Sequence, residues 1–117
     1  MSDGPSVFGV EISDGAMEDL RTIQEYIAVE LQSPASAWRT VTGILDAADR
    51  LSAMPFRNRA IAKTSRGHAV RSAHYGKYRL LDLVEEEKVI VFAVLYDASD
   101  VEGRLGQIMS KNSGPLG

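Results

Sequence analysis

The residues best suited to chemistry in this chain gather in its second half: His68, Arg71, His74, Tyr75, Arg79 and Tyr96. Guanidinium groups can hold a phosphate where negative charge develops, and imidazole or phenol groups can trade protons with it. The set therefore suits phosphodiester chemistry or the binding of an anionic partner. Each residue also has a plain structural use. His68 and His74 flank strand ends, where a solvent-facing imidazole is common. Tyr78 and Tyr96 favour strands, and Arg71 and Arg79 can lie along a sheet and pair with Glu85, Glu86 or Glu87. No phosphate-cradling glycine loop and no nucleophile motif accompanies them. With two histidines and no cysteine, the chain has neither disulfide nor thiolate metal site, and no metal or cofactor is expected.

Charge is divided along the chain in a way that the net value of −3 conceals. Residues 1–50 hold nine acids and three bases, whereas residues 57–79 hold seven bases (Arg57, Arg59, Lys63, Arg66, Arg71, Lys77, Arg79) and no acid. A surface for a phosphate or carboxylate partner is expected there, the alternative being a solvated basic face. Arg57, Arg59, Arg71, Tyr78, Arg79 and Tyr96 are the candidate partner-contacting residues.

These side chains need a scaffold, and 117 residues with a 44% hydrophobic share suit one domain with a modest core. The expected division is a flexible N-terminus over 1–6, a single domain over 7–105 and a C-terminal tail over 106–117. Residues 1–6 carry no leader-like pattern, and the longest apolar run, Val89 to Tyr96, is too short to span a bilayer. A cytoplasmic protein without a membrane segment is expected.

Alternation over Val7–Ser13 predicts a first strand, and Asp14 is the expected cap of a helix over about Ala16–Leu31. Its apolar residues Ala16, Leu20, Ile23, Ile27 and Leu31 recur at helical spacing, so that face is core. Ser33-Pro34 opens a second helix burying Ala37, Val41, Ile44, Leu45, Ala48 and Leu51, with Trp38 beside the stripe as a half-buried packing residue. Pro55 ends it, and the short link near 32–33 folds the two helices into an antiparallel hairpin. Four strands are then predicted at Ala60–Thr64, His68–His74, Tyr78–Val84 and Lys88–Tyr96, joined as a meander by turns at 65–67, 75–77 and 85–87. The last strand, apolar on both faces, belongs inside the sheet, with the helices on one side. The fold class is thus α+β: an N-terminal strand, then a two-helix hairpin on a mainly antiparallel sheet.

Particular residues on this plan carry a resemblance. Asp19-Leu20, Ile23, Tyr26-Ile27-Ala28 and Ser33-Pro34-Ala35 are followed by Leu51-Ser52-Ala53-Met54-Pro55, Gly67, Arg71 and Tyr78-Arg79-Leu80. Val94-Leu95-Tyr96 and Asp100 complete a series similar to that of RelE/ParE superfamily toxins of type II toxin–antitoxin systems. The resemblance implies a toxin bound and silenced by a cognate antitoxin. Its two branches imply different targets: ParE-like members poison DNA gyrase without being nucleases, and RelE-like members cut messenger RNA in the ribosome. RelE-like nucleases usually carry a lysine pair before the Tyr-Arg motif, an arginine after the last strand and a tyrosine near the C-terminus. Here those places read Ser72-Ala73-His74-Tyr75, Asp97-Ala98-Ser99 and Arg104, so only Arg79 matches. A pI near 5.3 also suits a ribosomal RNA ligand poorly. The ParE-like branch, a binder of gyrase rather than an enzyme, is the favoured reading. A ribosome-dependent endonuclease using Arg79, His74, Arg71 and Tyr96 is the alternative, and an inactive relic or binding module the third. The chain departs from the ParE pattern at Tyr96, where histidine is usual, and at Asp82, where an aromatic residue is usual.

Overall fold

Ser13 turns the chain out of its first strand, β1 (Gly9–Ile12), and into its first helix, α1 (Asp14–Glu25). Its extended backbone places Oγ to accept the Ala16 amide at 3.1 Å, so Ser13 is the cap and not Asp14. Asp14 lies one residue inside, where its carboxylate suits the positive end of the helix. The computed structural model describes residues 8–96 and 98–112, so the expected flexible segment 1–6 and residues 113–117 of the expected tail lie outside the described residues.

α1 continues into a π-helical turn over Tyr26–Glu30, where the Leu31 amide reaches back five residues to the Tyr26 carbonyl at 3.1 Å. Ala16, Leu20 and Ile27 are buried as their spacing predicts. Leu31 is exposed, because the wider turn rotates it off the stripe. The second helix, α2 (Pro34–Asp49), has its proline in the first turn and runs into a 3-10 turn at Arg50–Ser52. Ala37, Ile44, Ala48 and Leu51 are buried, but the predicted core residue Leu45 is exposed. Trp38, expected half-buried, is 67% exposed, so the inner stripe of α2 is narrower than its apolar content suggests.

Four further strands complete the sheet: β2 (Ala60–Lys63), β3 (Ala69–Tyr75), β4 (Tyr78–Glu85) and β5 (Lys88–Leu95). They form the expected antiparallel meander, and β1 adds to it in parallel beside β5, giving the order β1-β5-β4-β3-β2. A bulge breaks the register between β4 and β5: Leu81 pairs with Ala93 but Asp82 with Val91, leaving Phe92 over. Side chains alternate along a strand, so this extra residue switches the parity of β5. Val89, Val91 and Val94 consequently all pack with the hairpin core, while Ala93 and Leu95 join a second cluster with Val70 and Leu81.

That second cluster has a cover that the sequence pattern does not announce. A third helix, α3 (Ala98–Asn112), contributes buried Val101 and half-buried Leu105 to it. Helices thus cover both faces of the sheet, not one, and residues 106–112 of the expected tail continue a helix. Beyond Ile12 no strand among the described residues lies beside the outer edge of β5, and Oδ2 of Asp19 accepts the Val94 amide there at 2.9 Å. Both terminal nitrogens of Arg104 donate to the same carboxylate, at 2.7 and 3.1 Å, which ties α3 to α1.

Of the sheet turns, Gly67 and Gly76 supply the positive φ values that turns demand, at +90° and +59°. The turn between β4 and β5 has no glycine and forces Glu86 and Glu87 to φ values of +52° and +54°. Side chains are disfavoured in that region by about 1–2 kcal/mol per residue. Replacing the pair with Asn-Gly, the residues such a two-residue hairpin favours, is expected to raise stability by about 1–2 kcal/mol in urea unfolding. Unchanged stability would show that the turn stores no such strain.

Candidate functional site

A cleft of about 540 Å³ opens where the C-terminal end of α2, the loop after it and β3 meet. Its wall includes Met54, Arg57 and Asn58 of the loop, and Ala73 and His74 of β3. Arg50 stands at its border, held by Asp46 at 2.6 Å. Arg57 and Arg59 are exposed, so the loop presents the first two bases of the basic stretch to solvent.

The loop owes its position to Arg71. Its Nη1 donates to the Asn58 carbonyl at 2.6 Å, and its guanidinium stands 5.3 Å from the centre of the Phe56 ring. Phe56 in turn meets Phe8 edge to face, with centroids 5.8 Å apart. Arg71, a candidate for partner contact, therefore engages its own chain through a hydrogen bond and a cation–π contact.

Directly across from Arg71 on β4 stands Asp82. It is fully buried, and neither carboxylate oxygen has a hydrogen-bond partner among the described residues. Removal from water disfavours the ionised form and outweighs the pull of Arg71, so its pKa is raised to about 7. An uncompensated buried carboxylate is costly, and no sequence rule places one in the middle of a central strand. Ser72, also buried, has a hydroxyl without a partner among the described residues.

At the far end of the sheet the tyrosines assemble. Tyr78 and Tyr96 meet edge to face with centroids 5.5 Å apart. The Tyr78 phenol has a pKa above its ordinary value, through burial first and then through Tyr96 and Tyr26. Tyr75 lies against α2 so closely that a Cβ at Gly43 would collide with its ring. His74 pairs across the strands with Arg79, and Tyr75 with Tyr78. Alternation therefore puts the Cβ atoms of His74 and Arg79 on the face opposite these tyrosines. Arg71 shares the hairpin face with Ala73 and Tyr75. The sequence candidates do not converge: Arg71, Tyr75, Tyr78 and Tyr96 lie on one face, His74 and Arg79 on the other. The Nε2 of His68 lies 3.8 Å from Glu85 at the β4–β5 turn. No group of three or more metal-ligating side chains occurs among the described residues. No helix among them is long and apolar enough to cross a membrane.

The chain matches a known family model, the ParE toxin of the type II toxin–antitoxin system parDE, over residues 10–101. The chain belongs to the ParE toxin family. Among solved structures it is similar to a chain of the chromosomal ParDE toxin–antitoxin system of P. aeruginosa. That likeness has a TM-score of 0.65 at 16% identity, covering 79% of this chain and 98% of the other. It is also similar to a chain of the RelBE2 toxin–antitoxin complex of Mycobacterium tuberculosis, with a TM-score of 0.59 at 21% identity. Coverage there is 83% of this chain and 99% of the other. At these identities the likeness establishes the shared fold. No curated protein matches the chain. The ParE assignment and the α+β plan thus agree with the resemblance carried by the sequence.

Sequence reasoning missed the loop anchored by Arg71 and the Asp19–Arg104 pair, whose partners lie 85 residues apart. It noticed Asp82 only as a departure from the family pattern. Because the folded state raises the Asp82 pKa from 3.8 to about 7, the stability it contributes is full below its ordinary value and lost as pH climbs through about 7. Asp82→Asn removes that titration while keeping the shape. The variant is expected to exceed the parent in urea stability by on the order of 3 kcal/mol near pH 8, with the gap closing towards pH 4. A gap that stays constant with pH would contradict the assignment.

Proposed function

We propose that this ParE-family chain is a toxin that inhibits DNA gyrase by binding, with a cognate antitoxin as its silencing partner in the cytoplasm. The observation that carries the gyrase reading is the dispersal of the candidate catalytic groups. In-line cleavage of RNA needs a base for the 2′-hydroxyl, an acid for the leaving oxygen and cations at the phosphate, all within reach of one another. Here strand alternation sends the Cβ atoms of His74 and Arg79 to the face opposite Arg71, and Arg71 already serves the Phe56–Asn58 loop at the cleft whose wall His74 borders. The net charge of −3 further disfavours a ligand as anionic as ribosomal RNA.

The antitoxin reading draws on the family and on its structural neighbours, which come from toxin–antitoxin systems. Arg57 and Arg59, exposed beside the cleft, suit acidic residues of such a partner, while the cleft's apolar wall at Met54 and Ala73 suits an apolar anchor. Tyr78, Tyr96 and Arg79 remain candidates for partner contact.

Two assays on the purified toxin test the target. It is expected to inhibit gyrase supercoiling and accumulate cleaved DNA, and to leave messenger RNA intact on translating ribosomes. Ribosome-dependent cleavage that disappears in Arg79→Ala or His74→Ala, with gyrase turnover unaffected, would replace this reading with the endonuclease one.

A further inference from the structure

Arg71 stands between two potential partners and engages one of them in this structure. Outward, it donates to the Asn58 carbonyl and stands against the Phe56 ring. Inward, its direct cross-strand neighbour is Asp82, a buried carboxylate with both oxygens unpartnered. The two form no ion pair in this structure, although facing Cβ atoms across antiparallel strands lie only about 5 Å apart, well within an arginine's reach.

We propose that Arg71 is a two-position arm: it holds the Phe56–Asn58 segment while Asp82 is neutral and turns inward to pair with Asp82 when that carboxylate is ionised. The outward position satisfies the guanidinium with a neutral carbonyl and a ring face. Once Asp82 carries a charge, a charge-assisted bond to it is the stronger contact, and a buried carboxylate left unpaired is the costliest arrangement available.

The surroundings of Asp82 leave this role to Arg71. Val91 faces Asp82 from β5. The hairpin side supplies buried Ile44, Ala48 and Leu51, while its charged Asp46, Asp49 and Arg50 are exposed. Arg57 and Arg59 of the loop are exposed, and Glu11 of β1 is exposed and bound to Lys88 at 3.3 Å. Arg71 is the charged group that acts on Asp82. Burial sets the titration near pH 7, so the arm turns within the physiological range. A single proton thereby sets how firmly the segment bearing Arg57 is held, and with it the wall of the cleft.

Hydrogen exchange on the full chain tests this through the Arg57 amide, which donates to the Met54 carbonyl at 3.2 Å. Rates are corrected for the chemical effect of pH and set against the amides of β4 and β5, which report global opening. From roughly pH 6 to roughly pH 8, protection of Arg57 relative to those strands is expected to fall by about tenfold as Asp82 ionises. Asp82→Asn and, as a second neutral replacement, Asp82→Leu are expected to abolish that fall. Arg71→Gln is expected to leave the amide weakly protected at both pH values. Relative protection of Arg57 that does not change with pH in the parent chain would overturn the proposal. So would the same change persisting in either Asp82 variant or in Arg71→Gln.

Discussion

The carboxylate of Asp19 holds three parts of the molecule at one point. β1 is only four residues long, because the chain must leave the sheet at Ser13 to begin α1. Its departure strands the Val94 amide on an edge that would otherwise be paired, and a buried donor without a partner costs about 1–3 kcal/mol. Asp19, on the second turn of α1, fills the place of the missing strand and also receives two donors from Arg104. With its side chain 15% exposed and that of Arg104 27% exposed, this pair is better shielded from water than the surface ion pairs of α1 and α2. α3 is thereby fixed across the second face of the sheet, where Val101 and Leu105 close the cluster around Val70, Leu81, Ala93 and Leu95.

A sheet covered on both sides places constraints on its middle strand. β4 is buried from Leu80 to Asp82, and the bulge opposite it turns Val91 and Val94 towards the same core. Asp82 sits in that core as a buried carboxylate with no partner among the described residues. The loop bearing Arg57 and Arg59 is tied to the adjacent strand through Arg71, the cross-strand neighbour of this carboxylate. The buried carboxylate of the core thus lies next to the residue that holds the loop at the cleft. The tyrosine end differs: Tyr75, Tyr78 and Tyr96 are set by packing against α2 and against one another.

Much of this architecture was legible in the residues. Ala16, Leu20, Ile27, Ile44 and Ala48 mark the buried stripes, and each predicted strand lies within two residues of the observed one at either end. The bulge was not legible, because Val89 to Leu95 is apolar throughout and conceals the change of parity at Phe92. α3 left a faint trace in Val101 and Leu105, four residues apart, but Gly103 and Gly106 lower the helical propensity between and beyond them. The π-helical turn, which exposes Leu31, has no sequence rule. For the candidate site, residue types located the basic stretch, yet strand alternation divided its members between two faces, and Arg71 engaged a loop that spacing alone could not place. The Asp19–Arg104 contact, spanning most of the chain, is visible only once the fold is known.

A double-mutant cycle on Asp19 and Arg104 probes this organisation most directly. Asp19→Asn keeps an acceptor for the Val94 amide while removing the charge that Arg104 engages, and Arg104→Gln removes the other side of the pair. Urea unfolding of the parent chain, the two single variants and the double variant is expected to give a coupling of about 1–3 kcal/mol, as befits a shielded pair joined by two hydrogen bonds. Additivity within about 0.5 kcal/mol would mean that α3 is held by its apolar face alone and that the clamp is not what the fold depends on.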